Sequence, residues 1–201
     1  MNEHRPSGVR GAEVFVSNQS RGVGARWGAR ALAVAAALLV ALGAGGPARA
    51  EAVTVPAKLQ AVLFKKIFAY DTALQGVGEV KVLVVYPAGG AEEARRLTGA
   101  FGEAGLTASA AEVHDATARL GGARVVYLLP GAEAALAHAA AAGKQVLSVA
   151  GLPALAERGA VSVALGQGAD GKPEIVVNRT RLKAEGHDLS ANLLRLARVI
   201  N

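Results

Sequence analysis

The chain contains no cysteine, which excludes a disulfide framework, a thiolate metal site, a cysteine nucleophile and a lipidated N-terminal cysteine. Aromatic residues are scarce at 4%, so the 52% hydrophobic content is almost wholly aliphatic. Charge is low as well, at 19%, and low charge with high apolar content argues against disorder along most of the length. No Walker A sequence occurs. His114, His138 and His187 form no H-x-x-x-H or H-x-H pair, and His114-Asp115 alone supplies too few ligands for a metal. Ser148 lies in Leu-Ser-Val-Ala-Gly, without the Gly two positions earlier that a nucleophile elbow needs. Ser109, Ser162 and Ser190 have no catalytic context, and no acidic pair stands out as general acid and base. No catalytic, metal-binding or cofactor-binding residues are expected, and the residues favour a protein that is not an enzyme.

What is present begins with an export signal. Residues 1–30 carry five Arg against Glu3 and Glu13, Ala31 to Leu42 is an uninterrupted apolar run, and Ala48-Arg49-Ala50 follows. A basic segment, an apolar segment and a small-x-small site make a secretory signal peptide with cleavage expected after Ala50. An uncleaved anchor is the rival reading, but the roughly 20 apolar residues of a bilayer span would have to include Arg30 and several glycines. No Arg-Arg pair precedes the run, so a twin-arginine route is unsupported, and the long basic segment leaves room for a downstream start at Val23.

The signal also accounts for the charge. The whole chain has 22 Lys+Arg, 16 Asp+Glu and a net charge of +6, of which six Arg and two Glu belong to residues 1–50. Residues 51–201 keep 16 basic and 14 acidic residues, a net charge of +2. Binding a phosphate backbone needs a concentrated basic footprint, so a nucleic-acid partner is not expected. Lys65-Lys66 and Arg95-Arg96 read as solvated helix faces.

Residues 51–201 alternate between the two secondary-structure periods. Pro56 to Tyr70 predicts an amphipathic helix with Pro in its first turn. Val80 to Tyr86, ended by Pro87, is a β-branched run that reads as a buried strand. A helix over 91–103 and a weaker strand over 106–113 follow. Val125 to Leu129 is a second strong strand, then come an Ala-rich helix over 132–142, a strand over 145–149 and a short helix over 152–158. Ala160–Leu165 and Glu174–Val177 flank a Gly-rich loop and read as a β-hairpin. Helical segments over 179–184 and 189–200 close the chain, the last with Leu189, Leu193, Leu196 and Ile200 on one stripe. The fold class is therefore α/β: a three-layer domain with a mostly parallel sheet flanked by helices, a C-terminal antiparallel hairpin and a terminal helix. No linker or repeat interrupts 51–201, so a single domain is expected.

Gly166-Gln-Gly168-Ala-Asp-Gly171 matches G-x-G-x-x-G by letter. A dinucleotide site needs that turn between a strand and a helix. Here it joins two strands and leads into Lys172-Pro173, so it is a hairpin loop and no cofactor is expected. The sequon Asn178-Arg179-Thr180 matters only if the source glycosylates exported proteins.

The C-terminal half carries a more specific pattern. Val146-Leu-Ser-Val-Ala-Gly-Leu-Pro153, then Gly159, Ile175-Val-Val-Asn178, and Gly186-His-Asp-Leu-Ser190-Ala-Asn-Leu193-Leu194-Arg-Leu-Ala197 form an ordered series. It resembles the YfiR-like family of small periplasmic proteins, with the specificity concentrated in residues 146–197. The resemblance implies a non-enzymatic repressor that binds the periplasmic sensing domain of a membrane-bound diguanylate cyclase and so lowers cyclic-di-GMP and biofilm formation. Other members stand beside histidine kinases and outer-membrane proteins. Well-studied members carry disulfides that tune them by redox state, which a cysteine-free chain cannot reproduce. Many also end the first helix in Trp-Pro, where this chain has Ala69-Tyr70-Asp71.

Two expectations about binding follow. Phe64 and Phe68 broaden the apolar face of the first helix beyond what packing on one sheet needs, so together with Tyr70 they are candidate partner-binding residues. A homodimer is compatible with this reading. The alternative is a periplasmic small-molecule binding module, whose ligand would sit at the carboxyl ends of the strands, on Pro87–Gly90, Pro130–Gly131 and Ala150–Gly151. Asn178, at the end of a strand, is expected to cap the segment that begins at Arg179.

Overall fold

The computed structural model describes residues 55–136 and 145–201. The export signal, the rival anchor and most of the Ala-rich helix lie outside the described residues. No helix among the described residues is long and apolar enough to cross a membrane.

In chain order the elements are α1 (Ala57–Ala69), β1 (Lys81–Tyr86), α2 (Ala91–Glu103), β2 (Thr107–Glu112), a one-turn α3 (Ala116–Arg119), β3 (Val125–Leu128), β4 (Leu147–Ala150), α4 (Pro153–Glu157), β5 (Val163–Gln167), β6 (Pro173–Asn178), α5 (Arg179–Ala184), α6 (Ala191–Leu194) and β7 (Arg198–Ile200). The seven strands form one sheet in the order β2-β1-β3-β4-β5-β6-β7. All neighbours pair parallel except β5 and β6, which are antiparallel. The order 2-1-3-4-5 is that of a doubly wound sheet with its switch point between β1 and β3.

Alternation along the strands divides the core in two. Val82, Val84, Val125, Tyr127, Leu147, Val149, Val163 and Leu165 face a cluster that includes Phe64, Leu97 and Phe101 of α1 and α2. Leu83, Val85, Val126, Leu128 and Ala164 face a second cluster with Leu120 and Leu155. A sheet covered on both faces needs strands apolar at every position, which is why β1, β3 and β4 are near-continuous β-branched and aliphatic runs. The loop with the G-x-G-x-x-G letters joins β5 to β6, as its setting between strands requires. Gly166 itself is needed for another reason: a Cβ there would lie 2.1 Å from Cγ of Pro153 in α4.

The predicted terminal helix is corrected. Only one turn forms, Ala191–Leu194, and the chain ends instead in β7, paired parallel with β6 through Val176↔Arg198, Val177↔Val199 and Asn178↔Ile200. Leu189 and Leu193 are buried as expected, but Leu196 is 79% exposed. Ladder bonds offered by β6, together with the β-branched pair Val199-Ile200, override the helical spacing of the leucines.

Because β6 runs against β5, it delivers Asn178 to the amino ends of β4 and β5. There Glu185, just past α5, accepts hydrogen bonds from Ser148 N (2.9 Å), Ser148 Oγ (2.6 Å), Ser162 Oγ and Arg181 Nε (2.7 Å). A buried carboxylate is tolerated only when its lone pairs are filled in this way. Ser148, which sequence reasoning found without catalytic context, is thus half of a clamp. Removing the carboxylate in Glu185→Ala strands buried donors, and we expect a loss of about 3 kcal/mol in urea denaturation.

Candidate functional site

The first helix is seated by an unusual polar contact at the carboxyl end of β4. The phenol of Tyr127 (β3) donates to Gln60 Oε1 at 2.7 Å, and Gln60 Nε2 donates to the Val55 carbonyl at 2.6 Å. Gly151 makes room for both: a Cβ there would stand 2.4 Å from Tyr127 Oη and 2.5 Å from Gln60 Oε1. Around this contact Phe64 packs edge-on against Tyr127 at 5.8 Å between ring centroids, and lies 5.9 Å from Phe68 and 6.4 Å from Phe101.

This arrangement corrects the partner-binding assignment. Phe64 and Phe68 are 0% and 3% exposed, so they belong to the core. The surplus width of the apolar face is absorbed by segments remote in sequence: Leu74, Leu189 and Leu193 join the same cluster. Tyr70 does reach the surface, at 45% exposure. It shares the outer face of α1 with Leu59 and Val62, 40% and 45% exposed. Leu59, Val62, Lys66 and Tyr70 follow helical spacing, so the outer face carries one mixed apolar and basic stripe. Of the neighbouring cations, Lys58 is paired with Glu103 at 2.9 Å, and Lys65 Nζ donates to the Ala104 carbonyl at 2.6 Å.

The far end of α1 is tied to the C-terminal segment. Ser190 N donates to the Tyr70 carbonyl (3.0 Å), Thr72 N donates to the Asp188 carbonyl (2.9 Å), and Asp71 forms an antiparallel bridge with Leu189. Inside this ribbon the Asp71 carboxylate, wholly buried, accepts from Ala73 N at 2.8 Å and meets His187 Nδ1 at 2.7 Å. Sequence reasoning missed this pair: the two residues are 116 positions apart, and although His187 stands in the Gly186–Ser190 pattern, nothing local points to Asp71 as its partner.

The residues that carry the family pattern are brought together, and their roles are local. Asn178 Oδ1 accepts from Arg181 N at 2.9 Å, which is the expected N-cap, while its Nδ2 donates to the Ala156 carbonyl at 3.0 Å. Its side chain is buried, so the sequon is a structural cap in the folded chain. Gly159 (φ 74°) ends α4 beside Asn178. Gly186 (φ 78°) ends α5 with Gly186 N on the Lys183 carbonyl and His187 N on the Leu182 carbonyl, a Schellman pair that favours glycine. Ser190 Oγ accepts from Leu193 N at 3.4 Å as the cap of α6. Leu193 is buried and Leu194 half-buried. None of these side chains lines either of the two cavities described below.

Part of the carboxyl rim proposed for a small molecule is taken up by side chains. Tyr127 and Gln60 fill it beside Gly151, and a Cβ on Gly131 would lie 3.4 Å from the Pro87 ring across the switch point. Two cavities among the described residues lie at the amino ends of the strands. One, of about 290 Å³, has Phe68, Leu74 and Leu106 in its lining with Lys65 and Glu79; the other, of about 500 Å³, lies between Leu120–Arg124 and Gln145–Val146. His114 is at the surface beside Glu112 (3.6 Å) and Asp115 (3.4 Å). The described residues include no group of three or more His, Asp or Glu side chains placed to hold a metal ion.

The fold and these contacts define a doubly wound α/β domain with an antiparallel C-terminal extension. The sequence profile of DUF4154, described as YfiR/HmsC-like, matches residues 57–198. The chain belongs to the YfiR/HmsC-like family, and membership points to a periplasmic regulator. Among curated protein sequences none matches significantly. Of the solved structures, a conserved domain protein from Vibrio cholerae O1 biovar El Tor is 16% identical with a TM-score of 0.56, over 75% of this chain and 61% of that one. The ABC domain in complex with L-Trp from Streptococcus pneumoniae is 13% identical with a TM-score of 0.53, over 72% of this chain and 60% of that one. This chain therefore spans about three fifths of each of those chains, and the likeness is one of fold.

Two predictions concern the seat of α1. Gly151→Ala forces a methyl group against Tyr127 and Gln60, and we expect a loss of about 1–3 kcal/mol in chemical denaturation. Burial chiefly, and the Glu93 carboxylate next, push the Tyr127 phenol above the ordinary tyrosine range, opposed in part by a hydrogen bond from Gly151. Below pH of about 10 the phenol is protonated in both folded and unfolded chains. Above it only the unfolded chain ionises at this residue, so stability falls as pH rises. Absorbance titration at alkaline pH should show Tyr127 ionising only on unfolding, and Tyr127→Phe should flatten that part of the stability profile.

Proposed function

We propose that this chain is an exported, non-enzymatic regulator that binds the extracytoplasmic domain of a membrane signalling protein, a diguanylate cyclase or a sensor kinase. Through that contact it controls cyclic-di-GMP or envelope signalling. Family membership is the observation that carries the reading. The basic, apolar and small-x-small order of residues 1–50 supports export to the periplasm, with cleavage after Ala50. The contact surface is the outer stripe of α1, Leu59, Val62 and Tyr70, because these side chains stay exposed while the family-pattern residues are used in caps and core. An apolar stripe on a helix that is held at both ends is a preorganised docking face.

The test is recovery of a membrane partner from envelope extracts. The wild-type protein should retain a cyclase or kinase, and Leu59→Asp/Val62→Asp should weaken retention at least tenfold while its thermal transition stays within a few degrees. Phe64→Asp should instead unfold the domain. Recovery of no signalling protein, or equal retention by a folded double variant, would falsify the reading. Reductant should leave binding unchanged, since the chain has no thiol or disulfide to reduce.

A further inference from the structure

The two flanks of α1 are not equivalent. Lys58 and Lys65 turn towards the end of α2, one to Glu103 and the other to the Ala104 carbonyl. At roughly 100° per residue, Leu59, Leu63, Lys66 and Tyr70 fall on the other flank, away from α2. Because α2 packs on β1 and β2, that flank looks along the sheet towards β5 and β6. There the C-terminal segment supplies the facing wall. β7 runs parallel to β6 with Val176 opposite Arg198, and the same register sets Ala197 beside Ile175. Leu63, Ile175, Leu194 and Ala197 all pack on the α1 side of the core, yet each stays only partly buried. Leu59 and Leu196, 40% and 79% exposed, stand outside them. The result is an apolar patch with a half-covered floor and an exposed rim.

Charge around the patch is of one sign except at its far end. Lys66 and Arg195 are exposed, and neither has an ion-pair partner among the described residues. The nearby carboxylates are engaged or face elsewhere. Glu174 and Glu157 hold Arg198 at 2.9 and 2.6 Å, and alternation along β6 puts Glu174 with Val176 on the opposite face of the sheet from Ile175. Asp170 is paired with Lys172 at 3.2 Å in the hairpin loop. Asp188 is exposed beside Thr72, at the Tyr70 end of α1.

We infer that this patch seats an acidic, amphipathic segment of the extracytoplasmic domain that the chain binds. The inference rests on the partner-binding reading above and gives that partner its chemistry. Apolar side chains of the segment cover the floor left open by Leu63, Ile175, Leu194 and Ala197, and its carboxylates meet Lys66 and Arg195. Charge disfavours a second copy, since pairing this patch with itself would set Lys66 and Arg195 against the same cations. Shape disfavours a bilayer, because a flat surface touches Leu59 and Leu196 but leaves the floor uncovered.

Photo-cross-linking tests the assignment. The full chain is expressed in its host with p-benzoylphenylalanine in place of Leu196, on the rim, or of Val62, on the outer stripe of α1. Envelope preparations are irradiated and the cross-linked peptides sequenced. Position 196 should label a membrane signalling protein at a peptide in which apolar residues are interspersed with Asp or Glu. Lys66→Glu/Arg195→Glu should weaken retention of that protein at least about tenfold without moving the thermal transition, and retention by the wild type should fall as salt rises. A signalling protein labelled from position 62 but not from 196 overturns this assignment and leaves the partner-binding reading standing. No signalling protein labelled from either position overturns both. Labelling from 196 only of phospholipid, of a second copy or of a peptide without carboxylates also overturns the assignment, as does full retention by the folded charge variant. Should that variant fail to fold, Leu196→Asp, at a side chain outside the core, decides the same question.

Discussion

The reversal between β5 and β6 is the constraint on which the rest of the domain depends. A purely parallel sheet would return the chain to the carboxyl end after every strand. The antiparallel β6 brings it back to the amino ends of β4 and β5, and everything that follows acts from there. Asn178 caps α5 and holds α4, Glu185 clamps Ser148 and Ser162, and Gly186 turns the chain towards α1. The segment 187–190 then locks the end of α1 through His187, Leu189 and Ser190. The exposed stripe of α1 is thereby fixed between Gln60–Tyr127 at one end and Asp71–His187 at the other. A helix held at both ends presents its outer side chains with little ordering left to do on binding.

The parts of this design visible in the sequence are those governed by local period. β1 and β3 are readable because a sheet buried on both faces leaves β-branched runs, and Pro87 and Pro130 mark their ends. The hairpin loop was separable from a dinucleotide turn because its flanks are strands. Asn178 as a cap was readable from its position before Arg179. What was not readable depends on pairs distant in sequence. The width of the α1 face suggested a surface for Phe64 and Phe68, yet Leu74, Leu189 and Leu193 arrive from elsewhere to cover them. The spacing of Leu189, Leu193 and Leu196 suits a helix, but β6 offers its open edge and Val199-Ile200 take it. Asp71 with His187, and Ser148 with Glu185, have no signature shorter than the distance that separates them.

The candidate site shows the same division more sharply. The ordered family pattern was legible in full, but its residues turn out to explain the fold: a Schellman glycine, two caps, a glycine beside a cap and two leucines on or beside the core. A pattern that persists for folding says little about which surface binds. The exposed stripe Leu59–Val62–Tyr70 is outside that pattern.

The lack of cysteine changes how the domain is held together. A disulfide acts mainly by restricting the unfolded chain, contributing about 2–4 kcal/mol whether or not the rest of the fold has formed. The clamps here span comparable loops, 37 residues for Ser148–Glu185 and 116 for Asp71–His187, but exist only once the sheet is assembled. Their stabilisation is conditional: Glu185 has its partners only if β4, β5 and α5 are already in register. The C-terminal segment, α1 and the sheet centre should therefore gain and lose structure together. That coupling gives α1 the stability of the whole domain rather than of one turn, without a bond that a change of redox state could break.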